Sequence, residues 1–191
     1  MQNIEKRIFE YLYKNLSPKR FEHSYQTAKL SVELALIYGA DALKAQTAAL
    51  LHDCAKSKKD FELISFFDGA KPRFKYFKEI KEYCPQLLHS YAGAVIADKE
   101  FGIKDKDILN SIANHTLGRK NMSLLEKILF VADAISYDRT CLKASKTRKL
   151  AKINFNGAFK NVMAGKIEYV IASGSWLCPL AVDTWNYYAL K

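Results

Sequence analysis

The chain has little of what marks most specialised protein classes. Its longest apolar runs fall far short of the ~20 residues that a membrane span needs. The N-terminus, "MQNIEKRIFEYLYKNL", alternates charged and apolar residues. It reads as an amphipathic helix and lacks the apolar stretch and cleavage site of a secretory signal. A cytoplasmic protein with no membrane contact is therefore expected. Cysteine is sparse: Cys54, Cys84, Cys141 and Cys178 form no CxxC pair and fit no zinc-motif spacing. They are expected as reduced thiols in the core or at the surface. Strand-like alternation is missing too, because valine, isoleucine and aromatic residues never alternate cleanly with polar ones over strand length. No internal repeat or low-complexity linker interrupts the chain. Acidic residues are outnumbered, 20 against 30 basic, which leaves a net charge of +10 over 191 residues. That balance favours a polyanionic partner, either nucleic acid or a phosphate-rich small molecule.

What is present is helical periodicity. In "SPKRFEHSYQTAKLSVELALIYG", Ser17 is a candidate N-cap, Pro18 takes the first helical position and Gly39 follows the last turn. Asp41 then caps "ALKAQTAALLHD", Ser57 starts "KKDFELISFF", and "RFKYFKEIKEYC" stops before Pro85. "PQLLHSYAGAVIADKEFG" closes at Gly102, and "KDKDILNSIANHT" and "SLLEKILFVADAI" follow. The remainder reads as "RKLAKINFNGAFKNVMAGKIEYVIASG" and, after Pro179, "LAVDTWNYYALK". The expectation is an all-α fold: one domain over residues 1–191, a bundle of about eight helices. The aromatic C-terminal helix serves either intramolecular packing or a homodimer.

Histidine is scarce, and its placement is the informative observation. His52 continues the spacing of Ala45, Ala48 and Ala49, His89 begins that of Ala92, Gly93 and Ile96, and His115 ends that of Ile108, Ser111 and Ile112. His23 shares a face with Thr27, Leu30 and Leu34, and Asp133 lies four residues after Leu129. Each therefore sits on the inward stripe of its helix, with Asp53 beside His52. One histidine on an apolar face is commonly a core residue bonded to backbone. Five inward polar groups on five helices cost several kcal/mol unless they share a compensating partner. A bound metal supplies one. Nitrogen and oxygen donors without thiolate argue against structural zinc and against calcium, and suit Fe, Mn, Co, Ni or Zn. Six side chains exceed a closed tetrahedral site, and a two-metal centre bridged by Asp53 uses them better.

The order His23, His52-Asp53, His89, His115, Asp133 resembles that of the HD-domain metal-dependent phosphohydrolases. The flanking text is more specific. "RFEHSYQTAKLSVELALIYGADALKAQTAALLHDCAK" and "ILNSIANHTLGRKNMSLLEKILFVADAI" look like the YqeK-type members, over about residues 17–139, with residues 140–191 as C-terminal helices. Members of that family are symmetrical bis(5′-nucleosyl)-tetraphosphatases. The resemblance implies hydrolysis of diadenosine tetraphosphate to two ADP at a di-metal centre, with iron the first choice of metal. It implies one metal on His23, His52, Asp53 and Asp133, and the other on Asp53, His89 and His115. It places Lys56, Thr116, Arg119, Arg139 and, more weakly, Arg20 on phosphate oxygens, and makes Asp53, His52 and Lys56 the catalytic residues. Arginine suits that task because its fork binds two oxygens at once. Two departures stand out. Ser136-Tyr137 replaces the family's Glu-Pro, and Cys178-Pro179 replaces a histidine-containing motif. Tyr137 is read as a packing residue before a base-stacking one. The competing readings are an HD phosphohydrolase of another phosphate ester, and an RNA-binding protein using "KPRFKYFKEIK" and "KASKTRK" around a structural metal.

Overall fold

The structure, a computed structural model, describes residues 2–69 and 74–190. The described residues form eleven α-helices and no strand. In chain order these are α1 (Gln2–Asn15), α2 (Pro18–Tyr38), α3 (Ala42–Leu51), α4 (Asp60–Ser65), α5 (Phe77–Tyr83), α6 (His89–Phe101), α7 (Lys106–Asn114), α8 (Leu124–Ile135), α9 (Leu142–Ile153), α10 (Phe155–Ala172) and α11 (Pro179–Ala189). A 3₁₀ turn, Pro85–Leu88, leads into α6.

The all-α class is as expected, but the count of about eight helices is corrected to eleven. The stretch read as continuous through "KINFNG" breaks at Asn154. Its backbone turns to φ −143°, ψ 83°, and its side chain accepts from Gly157 N, starting a new helix. Helix α4 begins at Asp60 rather than after Ser57, where Glu62 reaches back to Lys59 N. Residues 71–73, the start of the basic segment "KPRFKYFKEIK", lie outside the described residues.

Helices α2, α3, α6, α7 and α8 pack on one another as an inner group. Leu30 and Leu34 of α2, Leu51 of α3, Ile112 of α7 and Ile128 and Leu129 of α8 are almost completely buried there. Each such side chain contributes roughly 1.5–3 kcal/mol of transfer free energy. Helix α1 covers one side through Ile8 and Leu12, and α9 and α10 cover another. Helix α11 packs on α10, with Tyr188 buried against Phe159 and its hydroxyl accepting from Met122 N. Part of the aromatic face of α11 is thus occupied within the chain.

Two glycines let these helices close on the future site. At Gly93 of α6, a Cβ would lie 3.2 Å from Ile112 Cγ2 and 3.4 Å from His52 O, so the absent side chain brings α6 against α7 and the end of α3. Gly118 adopts φ +68°, and its N–H returns to Asn114 O to close α7 just after His115. A Cβ there would strike Thr184 Cγ2 at 2.8 Å.

Candidate metal centre

The residues singled out along the sequence come together at the centre of the inner helices. His23 lies in α2, His89 opens α6 and Asp133 lies in α8. His52 and His115 occupy the C-caps of α3 and α7. After Leu51 the chain tightens into i→i+3 turns, Cys54 N to Leu51 O and Lys56 N to Asp53 O. This turn carries Asp53 and Lys56 into the same space as His52.

Three imidazoles are fixed in one way. His52 Nδ1 is 2.6 Å from Ala49 O, His89 Nδ1 2.5 Å from Gln86 O and His115 Nδ1 2.8 Å from Ile112 O. A carbonyl only accepts, so each Nδ1 carries the proton and each Nε2 is left with a lone pair. Those lone pairs converge. His89 Nε2 and His115 Nε2 face each other at 3.2 Å, and they lie 3.2 and 3.6 Å from Asp53 Oδ1. His52 Nε2 is 3.8 Å from Asp53 Oδ2 and 3.7 Å from Asp133 Oδ1, fully buried and without a hydrogen-bond partner. Acceptor facing acceptor beside a carboxylate is repulsive unless a cation lies among them. The donor set fits a divalent metal on that ground. His23, His52 and Asp53 offer ligand atoms within 4.8 Å of one another, as do Asp53, His89 and His115. Asp53 is common to both groups.

His23 is held differently. Its Nε2 is 3.1 Å from Asp133 Oδ1 and its Nδ1 is 2.9 Å from Asp138 Oδ2.

The electrostatics match. Burial pushes His52 down to about 4. Burial also lowers His89 and His115, only partly offset by Asp53. Burial works to raise Asp53 and Asp133, but surrounding cations and imidazoles win and hold both well below the carboxylate range. His52, His89 and His115 are therefore neutral and Asp53 and Asp133 ionised, the forms that ligate metals.

A ring of cations surrounds it. Lys56 Nζ is 3.3 Å from His89 Nε2, Arg20 lies 3.7 Å from Asp53 Oδ2, and Arg139 lies 4.0 Å from Asp133 Oδ1. Thr116 Oγ1 is 3.0 Å from His115 Nε2. Arg119 is engaged elsewhere. Its Nε and Nη2 each bond Glu126 at 2.7 Å, and Glu126 is buried. The sequence reading missed Lys166 of α10, which donates to Asp133 Oδ2 at 3.2 Å and to His115 O at 2.9 Å. It missed Asp138 as well. Neither carries a local signal, since one reads as a helical lysine and the other as a loop acid. All four cysteines are free. Tyr137 packs under the Arg148 guanidinium, 5.0 Å from the ring centre, and its hydroxyl donates to Glu33.

The chain belongs to the HD domain family, which matches residues 20–138. It is 34% identical over 177 residues to the symmetrical bis(5′-nucleosyl)-tetraphosphatase of Halalkalibacterium halodurans, across 93% of this chain and 92% of that protein. It is 32% identical over 172 residues to the enzyme of the same name from Bacillus subtilis, across 90% of each chain. Its fold is that of a Clostridium acetobutylicum crystal structure described as a "predicted HD superfamily hydrolase involved in NAD metabolism". That match has a TM-score of 0.90, 36% identity and 97% coverage of both chains. No helix among the described residues is long and apolar enough to cross a membrane.

Proposed function

We propose that this chain hydrolyses diadenosine tetraphosphate symmetrically, giving two ADP, with two divalent metal ions as cofactors. The observation that carries the reading is the convergence of three imidazole Nε2 lone pairs on Asp53. The names of the relatives supply the substrate. His23, His52, Asp53 and Asp133 would hold one ion, and Asp53, His89 and His115 the other. Iron is the first choice, with Mn, Co, Ni or Zn as alternatives for this donor set. Such a pair supplies an activated water and neutralises charge on the attacked phosphate.

The chain's own residues do the rest. Water adds across the central P–O–P anhydride, so each product keeps two phosphates, and two protons are released once both new terminal phosphates are fully ionised. Asp53, common to both ligand groups, holds the two halves of the centre in register. His52 is kept neutral by burial and contributes a lone pair. Arg20 and Arg139 stand beside the carboxylates and Lys56 beside His89, and all three would meet phosphate oxygens as negative charge develops. The Thr116 hydroxyl would donate to another. Arg119 would first have to leave Glu126, so the phosphate role falls to the other cations. We read residues 1–191 as one domain, because Lys166 of α10 reaches into the core at Asp133.

The test is product analysis with Mn²⁺ or Fe²⁺ present. ADP alone is expected from diadenosine tetraphosphate. Asp53→Asn should lower the rate more than about 100-fold, beyond the range found for outer-shell partners. ATP plus AMP would refute symmetrical cleavage. Preferred hydrolysis of another phosphate ester would move the chain to a different HD phosphohydrolase. No hydrolysis, with RNA binding of steep salt dependence, would favour the nucleic-acid reading.

A further inference from the structure

His23 differs from the other three imidazoles in where it sits. His52, His89 and His115 lie at helix ends or turns, where a carbonyl three residues back lies within reach of their Nδ1–H. His23 lies within α2, where backbone carbonyls are committed to the helix. It must borrow an acceptor from elsewhere in the chain, and the turn after α8 provides one. Asp138 Oδ2 stands 2.9 Å from His23 Nδ1, and buried Ser136 donates from Oγ to Asp138 Oδ1 at 2.5 Å.

That turn is itself held by one guanidinium. Arg148 of α9 donates from Nε to Ile135 O at 2.7 Å, and from Nη2 to Ser136 O and Arg139 O, both at 2.9 Å. Its plane lies over Tyr137, whose hydroxyl reaches Glu33 of α2. A cation at this end of α8 also suits the helix dipole. A lysine could supply the charge but not the fork that meets three carbonyls.

We propose that Asp138 and Arg148 are positioning residues for His23. Arg148 fixes the turn, and the turn holds Asp138 against Nδ1. With a metal held beside Asp133, the proton stays on Nδ1 against Asp138, and Nε2, 3.1 Å from Asp133 Oδ1, is free to offer its lone pair. Ser136 and Tyr137, which depart from the family pattern, are both parts of this device. The proposal rests on the metal-centre reading above.

The test titrates metal-free protein with Co²⁺ and follows visible absorption, with thermal melting of each metal-free variant as the control. Asp138→Ala and Asp138→Asn should weaken Co²⁺ binding about 10- to 100-fold while the metal-free protein still unfolds in one cooperative transition. The asparagine can donate to Nδ1 and drive the proton to Nε2, so it should not rescue. Arg148→Lys should shift binding in the same direction. Wild-type Co²⁺ affinity in both Asp138 variants overturns the proposal. Wild-type affinity in Arg148→Lys removes Arg148 from it, whether or not Arg148→Ala folds. If His23→Ala also binds Co²⁺ like the wild type, the metal reading at His23 fails, and the proposal with it.

Discussion

Burial and partner charge divide the four imidazoles into two kinds, and the division sets how the metal-free protein responds to acid. Burial lowers His52, His89 and His115, so the folded chain refuses protons that the unfolded chain accepts near pH 6.5. Stability from these three is present above that pH and is lost as pH falls toward about 4, the value of His52. For His52 alone the difference amounts to about 3 kcal/mol. His23 runs the other way. Burial pulls it down, but Asp133 and Asp138 more than offset this and leave it raised. Its contribution is full below pH 6.5 and fades as pH rises through its folded value. Three groups oppose one, so the urea midpoint of chelated protein should fall steadily from pH 7.5 to pH 5. Equal midpoints across that range would contradict the assignment. The six candidate ligands were legible in the sequence because a polar residue on an apolar stripe is costly wherever it lands. Asp138 and Lys166 were not, because each acquires its meaning only from a partner more than thirty residues away.

Among the elements, α8 engages Arg119, expected at phosphate, in a buried network at its first turn. Ser123 caps the helix by accepting from Glu126 N, and Glu126 reaches back to Ser123 N. Glu126 is buried and also accepts from Asn114 of α7 and from both arms of the Arg119 fork. This network joins the C-terminal end of α7, beside His115, to the first turn of α8, the helix that carries Asp133 two turns further on. Arg119→Ala leaves a buried carboxylate without its cation, so it should destabilise the protein by about 2–3 kcal/mol, seen as a lower urea midpoint. A phosphate-binding Arg119 would instead raise KM at unchanged stability. Helix ends set by local chemistry, such as Ser17 with Pro18, Gly39, Asp41 and Gly102, could be read directly from the sequence. The stop of α3 at Leu51 has no glycine or proline to announce it. The break at Asn154 is equally hidden, since "KINFNG" suits a continuing helix until the Asn154 side chain turns to Gly157 N.

For the whole molecule, the centre is where five helices from distant parts of the chain meet: α2, α6, α8 and the ends of α3 and α7. Without a cation, their polar groups press lone pairs and carboxylates together in the most buried part of the fold, and Lys56 and Lys166 offset only part of that charge. Bound metal would therefore tie the inner helices together as well as serve hydrolysis. Ligand that binds only the folded state stabilises it by about 2.7 kcal/mol at one hundred times its dissociation constant. For a chain of this size each kcal/mol moves the melting temperature by about 2–4 °C. Chelation should accordingly lower the melting temperature by about 5–10 °C, and Mn²⁺ should restore it. Asp53→Asn should melt at nearly one temperature with and without metal, because the residue shared by both ligand groups has lost its charge. A melting temperature indifferent to chelation in the wild type would mean that the centre gathers no metal under these conditions. The cost of burying its polar groups would then fall on Lys56, Lys166 and Arg20 alone, and removing any one of them should destabilise the fold more than removing a ligand.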